Sequence, residues 1–128
     1  MADVNRGNRP LSPHLTVYKL PLTARMSIFH RITGAGLTLA ALLVVWWFLA
    51  AASGPEAFAR ADGIITSWLG GLVLIGSVAA LWYHTLYGLR HLVWDTGAGF
   101  DLDTVQKSGL AILGATAVLT LITIIVAF

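Results

Sequence analysis

Residues 32–55, 63–83 and 108–128 contain no Lys, Arg, Asp, Glu or His. A helix that crosses a bilayer needs about 20 predominantly apolar residues, and each stretch has that length. In lipid the backbone must satisfy its own hydrogen bonds, which leaves helices or closed barrels. The runs are continuously apolar and do not alternate, which argues against a barrel. The sequence therefore predicts an all-α integral membrane protein with three transmembrane helices, over about 24–52, 63–93 and 106–128. These make one membrane domain over 23–128, preceded by an N-terminal segment over 1–22. The stretches "SGPEAFARADG" and "DTGAGFDLDTVQKSG" are expected to punctuate the helices.

Composition agrees. Charged residues make up 11% of the 128-residue chain, against about 25% in a soluble domain. With no cysteine, disulfides, thiolate metal sites and a covalently attached c-type haem are excluded. The net charge is +2, but the basic residues form no patch, so no nucleic-acid partner is expected. The first 20 residues lack an apolar core and contain Pro10 and Pro13, so they do not read as a signal peptide. They also lack the amphipathic Arg/Ser pattern of a transit peptide, which points to a bacterial chain or a processed one. Arg6, Arg9, Lys19, Arg25, Arg31, Arg90 and Lys107 fall on one side of the predicted topology, and only Arg60 on the other. The positive-inside rule then puts the N-terminus in the cytoplasm. A multi-pass protein of the bacterial inner membrane is expected.

This topology brings two polar clusters to similar depth. One is Ser27, His30 and Arg31 in "MSIFHRITG"; the other is "HTLYGLRHLVWD", residues 84–95. His84 lies roughly 9 Å deeper than Arg90 at about 1.5 Å per residue. Ionisable groups inside a membrane are rare and usually functional. Spacing leaves three readings of His84: a metal or haem ligand, a hydrogen bond across a helix interface, or proton transfer. Gly88 and Gly76 share its side of the helix and would present a flat surface to a porphyrin, or allow close helix packing. His84 and His91 are about 10.5 Å apart along the axis and cannot share one iron. A second axial histidine would have to come from another chain. Arg31 and His30 could neutralise carboxylates, and Ser27 and Arg31 could donate to a quinone carbonyl. The alternative for both is anchoring of the helix end. Arg90 is expected to snorkel to the membrane surface, Asp95 to pair with Arg90, His91 or Arg31, and His91 to point inward. The five tryptophans read as interface belt or lipid-facing packing, and Tyr83 and Tyr87 carry no assignment.

Taken together, "RPLSPHLTVYKLPLTARMSIFHRITG" and the His-x-x-x-Gly-x-Arg-His stretch at the end of the second helix resemble the cytochrome b556-type membrane anchors of succinate dehydrogenase, respiratory complex II. The resemblance covers nearly the whole chain. It implies a heterodimeric six-helix anchor bundle, of which this chain is half, holding one haem b shared with a second hydrophobic subunit. It implies that His84 is one axial haem iron ligand and that the partner subunit supplies the other. Ser27 and Arg31 would then border the ubiquinone site; His30, Arg31 and, more weakly, His91 would contact the haem propionates. The flavoprotein and iron–sulfur subunits would oxidise succinate and pass electrons to ubiquinone, with no dicarboxylate site on this chain. A haem-free structural anchor and the anchor of a menaquinone-linked fumarate reductase are the alternatives. A proton-coupled transporter fits poorly, because all six acidic residues lie outside the charge-free runs.

Overall fold

The structure, a computed structural model, describes Gly7 and residues 10–127. Arg6 and Arg9, which contribute to the charge asymmetry, and Phe128, the expected end of the third span, lie outside the described residues. Four helices succeed one another: α1 (Leu22–Ser53), α2 (Pro55–Ile65), α3 (Trp68–Asp95) and α4 (Leu102–Ala127). Among the described residues there is no strand. The helices α1, α3 and α4 are each long and apolar enough to cross a membrane.

The short α2 departs from the sequence expectation, which read its residues as a break and began the second span at residue 63. Gly54, at φ 124°, turns the chain in a conformation that only glycine adopts freely. Pro55 then occupies the first turn of α2 with Glu56 beside it, both favoured at a helix start. Helix α2 folds back against α1, burying Ala61 completely. Trp47 Nε1–H donates to Asp62 Oδ1 at 3.3 Å and the Trp47 ring meets Phe58 edge-on. The chain then turns at Thr66 and Ser67, and Ser67 Oγ accepts the Gly70 N–H at 3.1 Å. This N-cap moves the start of the second span to Trp68.

Helix α4 begins at Leu102, four residues before the expected position. Asp101 caps it, accepting the Thr104 N–H at 2.8 Å. That backbone hydrogen bond, with a further one from the Thr104 side chain, holds the Asp101 carboxyl below its ordinary value of 3.8. The α3–α4 connection is short and uses Gly97 and Gly99 at positive φ.

Helix α3 is the centre of the arrangement and packs against both α1 and α4, which touch each other over a shorter stretch. The packed core is small: Met26, Tyr83, Tyr87 and Ile112, flanked by Leu22 and Leu86. Most other large apolar side chains of the three long helices are exposed. Such a surface has no place in water, and the protein is a multi-pass membrane protein. Gly109 fits α4 onto this core, since a Cβ there would lie 3.1 Å from Met26 Sδ and 3.3 Å from Arg90 Nη1.

The helix ends can be tested separately. A methyl group at Gly70 would meet the backbone carbonyl oxygens of Ile64 and Ile65, whereas one at Gly71 meets nothing within 4 Å. Gly70→Ala is expected to destabilise the α2–α3 turn by about 1–3 kcal/mol, and Gly71→Ala to be neutral or slightly stabilising; thermal midpoints in detergent decide between them. Because folding depresses the Asp101 pKa, its contribution is present above 3.8 and is lost as pH falls through the folded value. Asp101→Asn should therefore flatten the dependence of the thermal midpoint on pH below about pH 5.

Candidate functional site

The core sits where α1 begins and α3 ends, and the two polar clusters of the sequence meet there. The His84 ring lies against α1, face to face with His30 at 3.9 Å between centroids and 14° between planes. Gly34, one turn further along α1, makes this approach possible: a Cβ there would stand 3.0 Å from His84 Cε1. Helices α1 and α3 thus meet here through a glycine opposite an imidazole, a small-residue contact of the kind that lets membrane helices approach.

The hydrogen bonds define the state of the His84 ring. Its Nδ1 lies 3.1 Å from the His30 carbonyl oxygen and 3.2 Å from Thr33 Oγ1. A carbonyl only accepts, so Nδ1 carries the proton and donates. The Thr33 hydroxyl donates its own proton to the same carbonyl at 2.9 Å, leaving its oxygen to accept from Nδ1. In the neutral ring the lone pair is therefore on Nε2, the arrangement by which a carbonyl orients a metal-binding histidine. The space beside Gly88, one turn along α3, is open, as is that beside Gly76.

Tyr87 extends the stack. Its ring centroid lies 4.7 Å from His30 and 4.9 Å from His91, and His30 and His91 are 5.7 Å apart. His91 thus leans its ring toward the cluster while remaining exposed overall. His30 is half-buried, and its Nδ1 is buried without a hydrogen-bond partner. Ser27, half-buried, and Arg31, exposed, lie on the same stretch of α1. The described residues offer neither a hydrogen bond nor an ion pair to their side chains.

Three expectations are corrected here. Arg90 does not snorkel: it is 6% exposed, and its guanidinium carbon lies 4.5 Å from the Tyr87 centroid and 4.4 Å from that of Trp94. Stacking on both rings and a long 3.4 Å bond from Nη1 to the Val105 carbonyl turn it inward toward α4. Asp95 pairs with none of its expected partners; the one ion pair among the described residues is Lys107–Asp103. Trp47, Trp82 and Trp94 are not mere belt residues. Trp82 Nε1–H donates to Thr123 Oγ1 at 2.9 Å and so ties α3 to α4. Trp94 Nε1–H donates to the Gly99 carbonyl at 3.1 Å and fastens the end of α3 to the α3–α4 connection. Trp46 and Trp68 are exposed.

Tyr83 and Tyr87, unassigned from the sequence, are the buried aromatics around which the site is built. Tyr83 donates its hydroxyl to the Met26 carbonyl at 2.7 Å. The spacing of Tyr83, Tyr87 and Arg90 (i, i+4, i+7) marks one helix face, and this was the available signal. The helix rotation that places them on the packed side is not visible in one sequence.

With this geometry in place, the chain can be set beside known proteins. It matches the family of succinate dehydrogenase/fumarate reductase transmembrane subunits over residues 5–123, and it belongs to that family. Similar relatives narrow the comparison. A succinate dehydrogenase cytochrome b556 subunit from Paracoccus denitrificans is 54% identical, over 100% of this chain and 98% of its own length. A cytochrome b560 subunit of the same enzyme from Reclinomonas americana is 40% identical, over 90% of this chain and 83% of its own. A b556 subunit from Rickettsia felis is 33% identical over 89% of each.

Removing the buried Tyr83 hydroxyl separates packing from chemistry. Tyr83→Phe is expected to cost about 1 kcal/mol, the scale of interhelical hydrogen bonds in membranes, as a lowered thermal midpoint of the complex in detergent.

Proposed function

We propose that this chain is the cytochrome b membrane anchor of a succinate:ubiquinone oxidoreductase, holding haem b with a second hydrophobic subunit and helping to form the site where ubiquinone is reduced. The observation that carries the reading is the His84 ring: held through Nδ1 by the His30 carbonyl and Thr33, packed on Gly34, with Nε2 left to coordinate. The residues fit a haem. A neutral imidazole is a suitable iron ligand, and its carbonyl partner sets the tautomer that coordination needs. The open faces beside Gly88 and Gly76 accommodate a flat macrocycle.

The other axial ligand must come from elsewhere. His30 is near enough, but its ring lies face to face with that of His84, so their in-plane lone pairs cannot converge from opposite sides of one iron. Among the described residues no group of three His, Asp or Glu gathers as a metal site. A histidine of a partner anchor subunit would complete the pair, in a six-helix bundle with one shared haem. The exposed apolar flanks of α1 and α3 offer the partner its surface.

When bound, haem b supplies one-electron chemistry; the residues of this chain orient and neutralise. His30 and His91 lie together beside His84, and with Arg31, next to His30 on α1, they would face the propionates. Ser27 and Arg31 lie on the same stretch with no protein partners, and so can donate to a quinone carbonyl, Arg31 as a permanent cation and Ser27 as a neutral donor. The quinone's own chemistry belongs to the quinone. Succinate is oxidised on the flavoprotein subunit, and the iron–sulfur subunit delivers the electrons. Both would dock on the basic, N-terminal side of the membrane; the charge distribution supports reading that side as the cytoplasmic face of a bacterial inner membrane. The names of the relatives favour succinate dehydrogenase over fumarate reductase.

Two variants test this. In the purified complex, His84→Leu should remove or strongly alter the reduced b-type absorption band; an unchanged band rejects His84 as ligand. Ser27→Ala should lower quinone reductase activity by about 10-fold, the scale of one lost neutral hydrogen bond of about 1.4 kcal/mol. Succinate oxidation with an artificial acceptor should be unchanged. Equal loss of both activities points to failed assembly instead.

A further inference from the structure

The buried guanidinium of Arg90 is unexplained by the roles above. It is 6% exposed, and Nε and Nη2 are buried with no hydrogen-bond partner. No acid neutralises it among the described residues: Asp95 is exposed and makes no ion pair, and Asp103 is paired with Lys107. A buried charge with no acid beside it is expensive and rarely kept without use. Both partners on its faces are π systems, Tyr87 and Trp94, which attract a cation without cancelling its charge. Gly109 leaves the room it occupies. Arginine stays protonated under any ordinary condition, so this is a fixed positive charge.

That charge is coupled to the site by direct contact. Arg90 stacks on Tyr87, Tyr87 leans on His30, and His30 lies face to face with His84. We propose that Arg90 is a permanent buried cation that makes iron held by His84 easier to reduce. The inference rests on the reading of His84 as a haem ligand. Reduction adds one electron and no proton to Arg90, so a nearby positive charge favours the reduced form. Six residues of α3, about 9 Å, separate Arg90 from His84 along the helix axis; at that scale and an effective dielectric of about 20, one unit charge shifts such an equilibrium roughly tenfold.

The test is a potentiometric titration of the b-type band in the purified complex, with redox mediators and dithionite as reductant. Arg90→Gln removes the charge and keeps a planar polar group. It should lower the reduced-to-oxidised ratio at fixed potential about tenfold, a midpoint about 59 mV more negative for a one-electron couple. Arg90→Lys keeps the charge and should stay within about threefold of the parent. An unmoved midpoint in Arg90→Gln overturns the proposal, as does an equal displacement in both variants, which would make the effect geometric. Should Arg90→Gln fail to assemble, Trp94→Glu leaves Arg90 in place and sets a carboxylate against it. The midpoint should again fall, and an unchanged one overturns the proposal. Absence of any b-type band in the parent complex would instead reject the haem reading itself.

Discussion

The approach of α1 to α3 centres on the His84 imidazole wedged between Gly34 and the His30 ring. Hydrophobic attraction between helices is weak in lipid, where the acyl chains are as apolar as the side chains. Close packing and a few interhelical hydrogen bonds must hold them instead. Here the two come together: the glycine lets the ring approach, and the ring's Nδ1 reaches the His30 carbonyl and Thr33 hydroxyl. The Tyr83 hydroxyl on the Met26 carbonyl repeats the device one residue earlier on α3. The same bonds that hold the helices together therefore set the tautomer of His84, so packing and chemistry are not separable at this position.

A second layer of aromatic and cationic groups surrounds that contact. Tyr87, Arg90, His91 and Trp94 carry it from the His30–His84 pair to the α3–α4 connection, where Trp94 meets the Gly99 carbonyl and the Phe100 ring. Helix α4 joins through Gly109 and the Val105 carbonyl. Belonging to the succinate dehydrogenase/fumarate reductase transmembrane family gives this layer a setting. The polar ends of α1, α3 and α4 gather on one side of the membrane domain.

The three spans were legible because the absence of charge over about 20 residues has few physical solutions. The meeting of His30 with His84 and His91 was legible too, since alternate crossing of the bilayer leaves little choice of depth. Helix α2 was missed because Gly54–Pro55 reads as an interruption, although proline is welcome in a first helical turn. Arg90 was misplaced for a related reason. An arginine near a helix end snorkels unless its helix face is the packed one, and rotation about the axis is decided by partners such as Gly109 and Trp94. Donor chemistry suggested Ser27 and Arg31 and the resemblance sharpened their roles, but among the described residues no hydrogen bond or ion pair to their side chains marks them out.

The placement of the packed residues has a mechanical consequence. Tyr83, Tyr87, Met26 and Ile112 clamp the helices toward one membrane surface, while α2, pinned through Trp47 and Asp62, straps α1 and α3 at the other. Between these fastenings the mid-membrane stretches of α1 and α4 carry long rows of uncovered Leu, Val and Ile. The chain is thus a frame fastened toward both membrane surfaces, and it depends on its surroundings to cover the uncovered flanks between them.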